Sequence, residues 1–235
     1  ASLLLDRLKD VESALVVAQG FAAEDPAAAE ALYLRALDSD PDNTEALSAL
    51  AVLCRHKGEF ERAAKFALEG AEKTKNPMEK GRLLAQAGIL ALDHLDDPDA
   101  GLDLLARALD ADPEQVSAAQ RLAELREARQ EWLPLEPVLD MLLRRAPADD
   151  DAARAGLHAR VARCAKQLGK MDKAMANFEA AAKLSPHSLP LARASADLYF
   201  EREAWGEARA AYQWVYTLGQ TSLTAPERAA VCVRL

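Results

Sequence analysis

The stretch Ala36-Leu37-Asp38-Ser39-Asp40-Pro41 returns as Ala108-Leu109-Asp110-Ala111-Asp112-Pro113, and more loosely as Ala181-Ala182-Lys183-Leu184-Ser185-Pro186. Proline lacks an amide hydrogen and crowds the turn before it, so each copy closes one helix and leads into the next. Upstream of each copy a small residue precedes a bulky one by four positions: Ala29 and Tyr33, Gly101 and Leu105, Ala174 and Phe178. That spacing stacks the two side chains on one helical face. A unit that recurs on this scale cannot bury its apolar face alone, so neighbours must stack on it.

Composition agrees. About 51 Ala and 37 Leu, against about 11 Val and Ile together, favour helix over strand in a chain of 235 residues. Half of the residues are apolar and 29% are charged, which is too hydrophobic for a disordered chain. No apolar run approaches the length of a membrane span. The net charge of -9 argues against broad phosphate-backbone binding, so no nucleic-acid partner is expected.

These residues resemble the tetratricopeptide repeat family, whose unit of about 34 residues is a hairpin of helices A and B. Position 1 falls on Asp10, Thr44, Arg82, Val116, Ala155 and Leu189, at intervals of roughly 34, 38, 34, 39 and 34 residues. The small residue at position 20 is Ala29, Ala63, Gly101, Ala174 or Ala208; the aromatic at position 24 is Tyr33, Phe178 or Tyr212. Proline at position 32 is Pro41, Pro113, Pro147 or Pro186. The fourth unit departs, with Leu135 and Leu139 at positions 20 and 24, which implies a splayed hairpin. The family's Trp near position 4 is absent throughout, and Ala or larger residues replace its Gly at position 8. The resemblance implies an all-α, right-handed superhelical solenoid of antiparallel helix hairpins.

A longer period lies within the first. Glu24-Asp25-Pro26 and Asp96-Asp97-Pro98 recur about 72 residues apart, and Phe60, Trp132 and Trp205 share position 17. The chain therefore divides into modules of about 1–75, 76–147 and 148–220 within one array, and 221–235 starts a further helix. Lys73 to Gly81 and Ala146 to Asp151 hold the extra residues and carry loop chemistry. Asp25, Asp40, Asp97 and Asp112 each precede Pro as N-caps would, and Gln115 completes a capping-box pattern. Gly58 and Gly169 fall where helix A must stop.

No catalytic pattern is present: no phosphate loop, no GxSxG, no HExxH. An enzyme is not expected, nor is a cofactor or a metal. His94 beside Asp96 and Asp97 reads as a solvated turn, and Asp149 to Asp151 as a helix cap. Cys54, Cys164 and Cys232 read as small buried helix residues.

The resemblance places function on the face lined by helices A, at positions 2, 5, 9 and 12. In the first unit these are Val11, Ala14, Ala18 and Phe21; in the third they include Leu83, Gln86 and Leu90, so this end is expected to be apolar. Toward the C-terminus Arg160, Arg163, Lys166 and Arg193 form a basic stripe suited to an acidic segment, or a solvated helix face. Tyr199, beside it, is expected to be buried in its hairpin. The implied function is a non-catalytic interaction scaffold that binds an unidentified protein or peptide segment in its groove, with self-association open through the apolar end. The alternative is a regulatory or sensor module of a longer multidomain protein. Unpaired cysteines and the lack of a leader favour the cytoplasm; the trimmed look of the N-terminus leaves a periplasmic or secreted location open.

Overall fold

A computed structural model describes residues 11–22, 24–220 and 222–234, and the described residues form thirteen α-helices and no strand. Asp10 and the rest of residues 1–10 lie outside the described residues. The helices are α1 (Val11–Phe21), α2 (Pro26–Ser39), α3 (Thr44–His56), α4 (Phe60–Lys73), α5 (Pro77–His94), α6 (Pro98–Ala111) and α7 (Val116–Ala128). There follow α8 (Trp132–Arg145), α9 (Asp151–Gln167), α10 (Met171–Leu184), α11 (Leu189–Glu201), α12 (Trp205–Leu218) and α13 (Ala225–Val233). The chain forms two compact units, 1–125 and 126–235, each a stack of helix hairpins of the kind found in an all-α repeat solenoid.

Each even-numbered helix from α2 to α12 is a helix B, begins at unit position 17 and runs 14 residues. Position 20 lies where helix B crosses helix A, and Ala29, Ala63 and Ala174 there are fully buried. An alanine lets the two backbones approach, and the bulky residue one turn later fills the space beside the contact. Tyr33, Phe178 and Tyr212 do so, each at most 5% exposed. Between α5 and α6 the contact is closer still. A Cβ added at Gly101 would lie 2.5 Å from Leu92 Cγ and 3.1 Å from the Gly88 carbonyl oxygen.

Helix A is the variable element. In α3, α7 and α11 it has 13 residues, whereas α5 has 18 and α9 has 17. The two longer repeat intervals therefore lengthen helix A at its N-terminus. Pro77 to Gly81 is helical, contrary to the loop expected there, because Asn76 caps the extension by accepting from the Met78 amide at 3.1 Å and Pro77 sits in the first turn.

Five of the A-to-B turns share one conformation. Gly58, Asp96, Gln130, Gly169 and Glu203 all occupy position 15, and all have φ between 52° and 78°. Four of these turns close alike, with amides of Glu59, Glu131, Lys170 and Ala204 donating to carbonyls five residues back in helix A. Asp25 and Asp97 are N-caps as expected, each accepting from an amide three residues on at 3.0 Å. Asp40 and Asp112 are not. Each ends the helix before its proline and accepts from the amide two residues on, so Pro41 and Pro113 lie in B-to-A turns and α7 starts after Gln115 rather than in a capping box.

Candidate functional site

In the unit of residues 1–125, the A helices α3, α5 and α7 enclose a cleft of about 380 Å³. Val52 and Ile89 supply its apolar surface; Arg55, Arg82, Gln86 and Ser117 supply polar groups. Arg82 is committed within the unit: its guanidinium donates to Glu79 at 2.7 and 3.1 Å and to Ser48 Oγ at 2.6 Å. Arg55 is exposed and forms no ion pair among the described residues. Gln86 Nε2 is buried without an acceptor. An amide donor in that state carries the full cost of its lost hydration, which a ligand oxygen would relieve. The cleft is thus rich in donors, not the apolar groove end expected from residue types alone.

Of the residues expected to face a partner at this end, Gln86 does line the cleft. Leu90 touches it but is 2% exposed, and Leu83 and Ala18 are completely buried, so these three pack their own helices together instead of presenting a surface. Phe21 is half-buried against the α1–α2 core. Val11 and Ala14 belong to α1, but their side chains lie outside the described residues. Arg55 was missed although its position, 12, is the one that selects Lys166 in the fifth unit.

The basic stripe in the unit of residues 126–235 is largely neutralised within that unit. Arg160 donates to Glu127 at 2.9 Å and Lys166 to Glu201 at 2.7 Å, while Arg193 lies 3.6 Å from Glu227. Arg163 is exposed with no ion pair among the described residues. The lack of nearby acids in sequence was misleading, since these carboxylates come from helices about one repeat away. The Arg160 bond repeats the one between Arg121 and Asp93, in both cases from position 6 to position 12 of the preceding unit.

A second pair of clusters links successive B helices. Glu30, 14% exposed, accepts from Lys57 and Arg62; Glu136, equally covered, accepts from Lys170 and from Lys173 at 2.8 Å. Both carboxyls are held below the ordinary carboxylate range, Glu30 first by its bond from Lys57 and Glu136 by its bond from Lys170. Glu30, Cys54 and Glu59 bring ligand atoms within 4.8 Å of one another, but Lys57 and Arg62 already occupy the carboxylates and burial raises the Cys54 thiol pKa. That arrangement favours the ion pairs over a cation. His94 stacks on Phe60 with ring centroids 3.6 Å apart, and Cys54 and Cys164 are buried as expected. Cys232 is exposed, contrary to the expectation, because α13 turns only Val231 inward.

A model of the tetratricopeptide repeat matches residues 21–77, and a second model of the same repeat matches 155–188. No curated protein matches the chain in sequence. Among solved structures, YrrB, "a TPR protein with an unusual peptide-binding site", is similar with a TM-score of 0.59 and 15% identity, over 86% of this chain and 96% of that one. MamA of AMB-1 gives 0.57 and 19%, over 79% and 96%. PilF of Pseudomonas aeruginosa gives 0.54 and 23%, over 83% and 82%. No helix among the described residues is long and apolar enough to cross a membrane.

Proposed function

Because the chain belongs to the tetratricopeptide repeat family, we propose that it is a non-catalytic scaffold that binds a segment of another protein on the A-helix face, with an acidic segment seated in the cleft between α3, α5 and α7. The observation that carries the reading is the pair of unused donors there, the Arg55 guanidinium and the buried Gln86 amide, beside the apolar Val52 and Ile89. A carboxylate or a peptide carbonyl satisfies both, and a charge-assisted bond from Arg is stronger than a neutral one. The peptide-binding site named for YrrB supports a peptide as the ligand, through the shared fold. Within the unit of residues 126–235, Arg163 is a cation without an ion pair among the described residues, whereas Arg160, Lys166 and Arg193 bind a partner only in competition with their own carboxylates.

The test is fluorescence anisotropy with a labelled eight-residue peptide carrying three Glu among Ala and Leu, against its Gln counterpart. The Glu peptide is expected to bind at least about tenfold more tightly, and Arg55→Glu to remove that advantage. Gln86→Leu should weaken binding several-fold. Equal binding of the two peptides, unchanged by Arg55→Glu, would overturn the assignment of the cleft.

A further inference from the structure

Helix α12 carries Trp214 at unit position 26, where the other five hairpins have Arg35, Glu69, Arg107, Met141 and Ala180. The repeat does not need an aromatic there, and Trp214 remains 43% exposed. Its indole N–H donates to the Pro186 carbonyl at 3.3 Å, which fixes the ring beside a cavity of about 260 Å³ between α10, α11 and α12. The walls are mostly small or apolar, among them Ala182, Ala192 and Ala211. Glu179 is also part of the lining. Its carboxylate accepts from the Tyr199 hydroxyl at 3.0 Å and forms no ion pair among the described residues, not even with Lys183 one turn along α10. Tyr199, expected to be buried, is only half-buried because it faces this cavity. His187 also lies near the indole, its ring centroid 6.3 Å away.

We propose that this cavity is a second docking site, chemically opposite to the cleft between α3, α5 and α7, and that it takes an arginine side chain of a partner protein. The methylenes of the arginine lie against the alanines, and the guanidinium meets both the Trp214 ring and the Glu179 carboxylate. Arginine suits these walls better than lysine: its planar, weakly hydrated head stacks on an aromatic face while still donating to an acid. An unpaired carboxylate beside an exposed indole gives the charge complementarity that an aliphatic ligand would leave unused. The site stands on its own observations and does not depend on what binds the other cleft.

The indole N–H signals of the three tryptophans, followed by ¹⁵N NMR on the whole chain, provide the test, with Trp214→Phe assigning the signal. The probe is acetyl-Ala-Ala-Arg-Ala-Ala-amide, and the control is the same peptide with citrulline, which keeps the shape and loses the charge. The Trp214 signal should move saturably with the arginine peptide while Trp132 stays in place. Binding should weaken about tenfold or more for citrulline and for Glu179→Gln, with helicity by circular dichroism unchanged. No saturable shift, or equal binding of the citrulline peptide, or equal binding by Glu179→Gln, would overturn the proposal.

Discussion

Arg55 and Lys166 occupy the same place, position 12 of helix A, one in each compact unit. Lys166 donates to Glu201 at 2.7 Å, while Arg55 meets no carboxylate among the described residues. The difference is made one hairpin later. Glu201 is at position 13 of the next unit, and at the corresponding position after Arg55 stands His94, stacked on Phe60. At position 12, a cation is therefore left to a partner when the following repeat withholds its acid. Local charge counting cannot see this, because the neutralising residue is about 35 positions away.

The comparison requires that both hairpins share one register, and the largest effect tests that. Ala63 and Ala174 hold position 20 in the two hairpins and are fully buried, so Ala63→Leu and Ala174→Leu should each overpack a helix crossing and cost about 1–3 kcal/mol. Denaturant midpoints measure it, and tolerance at both would refute the register. Exchanging the next-repeat residues then inverts the contrast itself. His94→Glu should give Arg55 an internal partner and reduce binding of the Glu-rich peptide about tenfold, whereas Glu201→Ala should release Lys166 and raise its binding at the 126–235 unit several-fold. Anisotropy on both variants reads the two outcomes, and no change in either would show that position 13 does not govern access.

Much of the architecture could be read from residues alone. Helices α2 and α6 start at Pro26 and Pro98, behind the caps that Asp25 and Asp97 imply, and the crossing alanines are buried, because both follow from local spacing and volume. The chain's punctuation was less legible. Asp-Pro signals a cap at Asp25 and a turn at Asp40, and only the chain entering each dipeptide decides which. Arg55 and Trp214 escaped notice for different reasons. Arg55 matters through an acid that is missing elsewhere, and Trp214 through exposure, which one Trp among the four aromatics of α12 does not announce.

Glu30 and Glu136 supply the counter-case, since both units bury the same carboxylate at position 21 between two cations of the next hairpin. A carboxyl whose folded pKa is depressed contributes stability that is fully present above its unfolded pKa and fades as pH falls through the folded value. Glu30→Gln and Glu136→Gln should thus each lower stability by about 1 kcal/mol near neutral pH. Against the parent chain the deficit should shrink steadily below the ordinary carboxylate pKa. Melting temperatures from pH 7 to pH 3 test it, and a deficit that stays constant would show that shape, not charge, is lost. A large difference between the two variants would mean that the units do not use this position alike.

The smallest effect concerns the turns that set the hairpin angle in both units. Gly58 and Gly169 have φ of 78° and 71°, and Glu203 reaches 59° at the same position. A side chain at Cβ crowds the following carbonyl there, and only the fold's other contacts hold Glu203 in place. Glu203→Gly removes that strain but adds backbone freedom to the unfolded chain, leaving a net gain of a few tenths to about 1 kcal/mol. Gly58→Ala moves the other way and should cost about 1 kcal/mol, the open space around its Cβ making this a purely backbone effect. Denaturant midpoints for the two variants should shift in opposite directions with unchanged slope. Shifts of the same sign would mean that contacts of the side chain, rather than the left-handed turn, decide the stability at position 15.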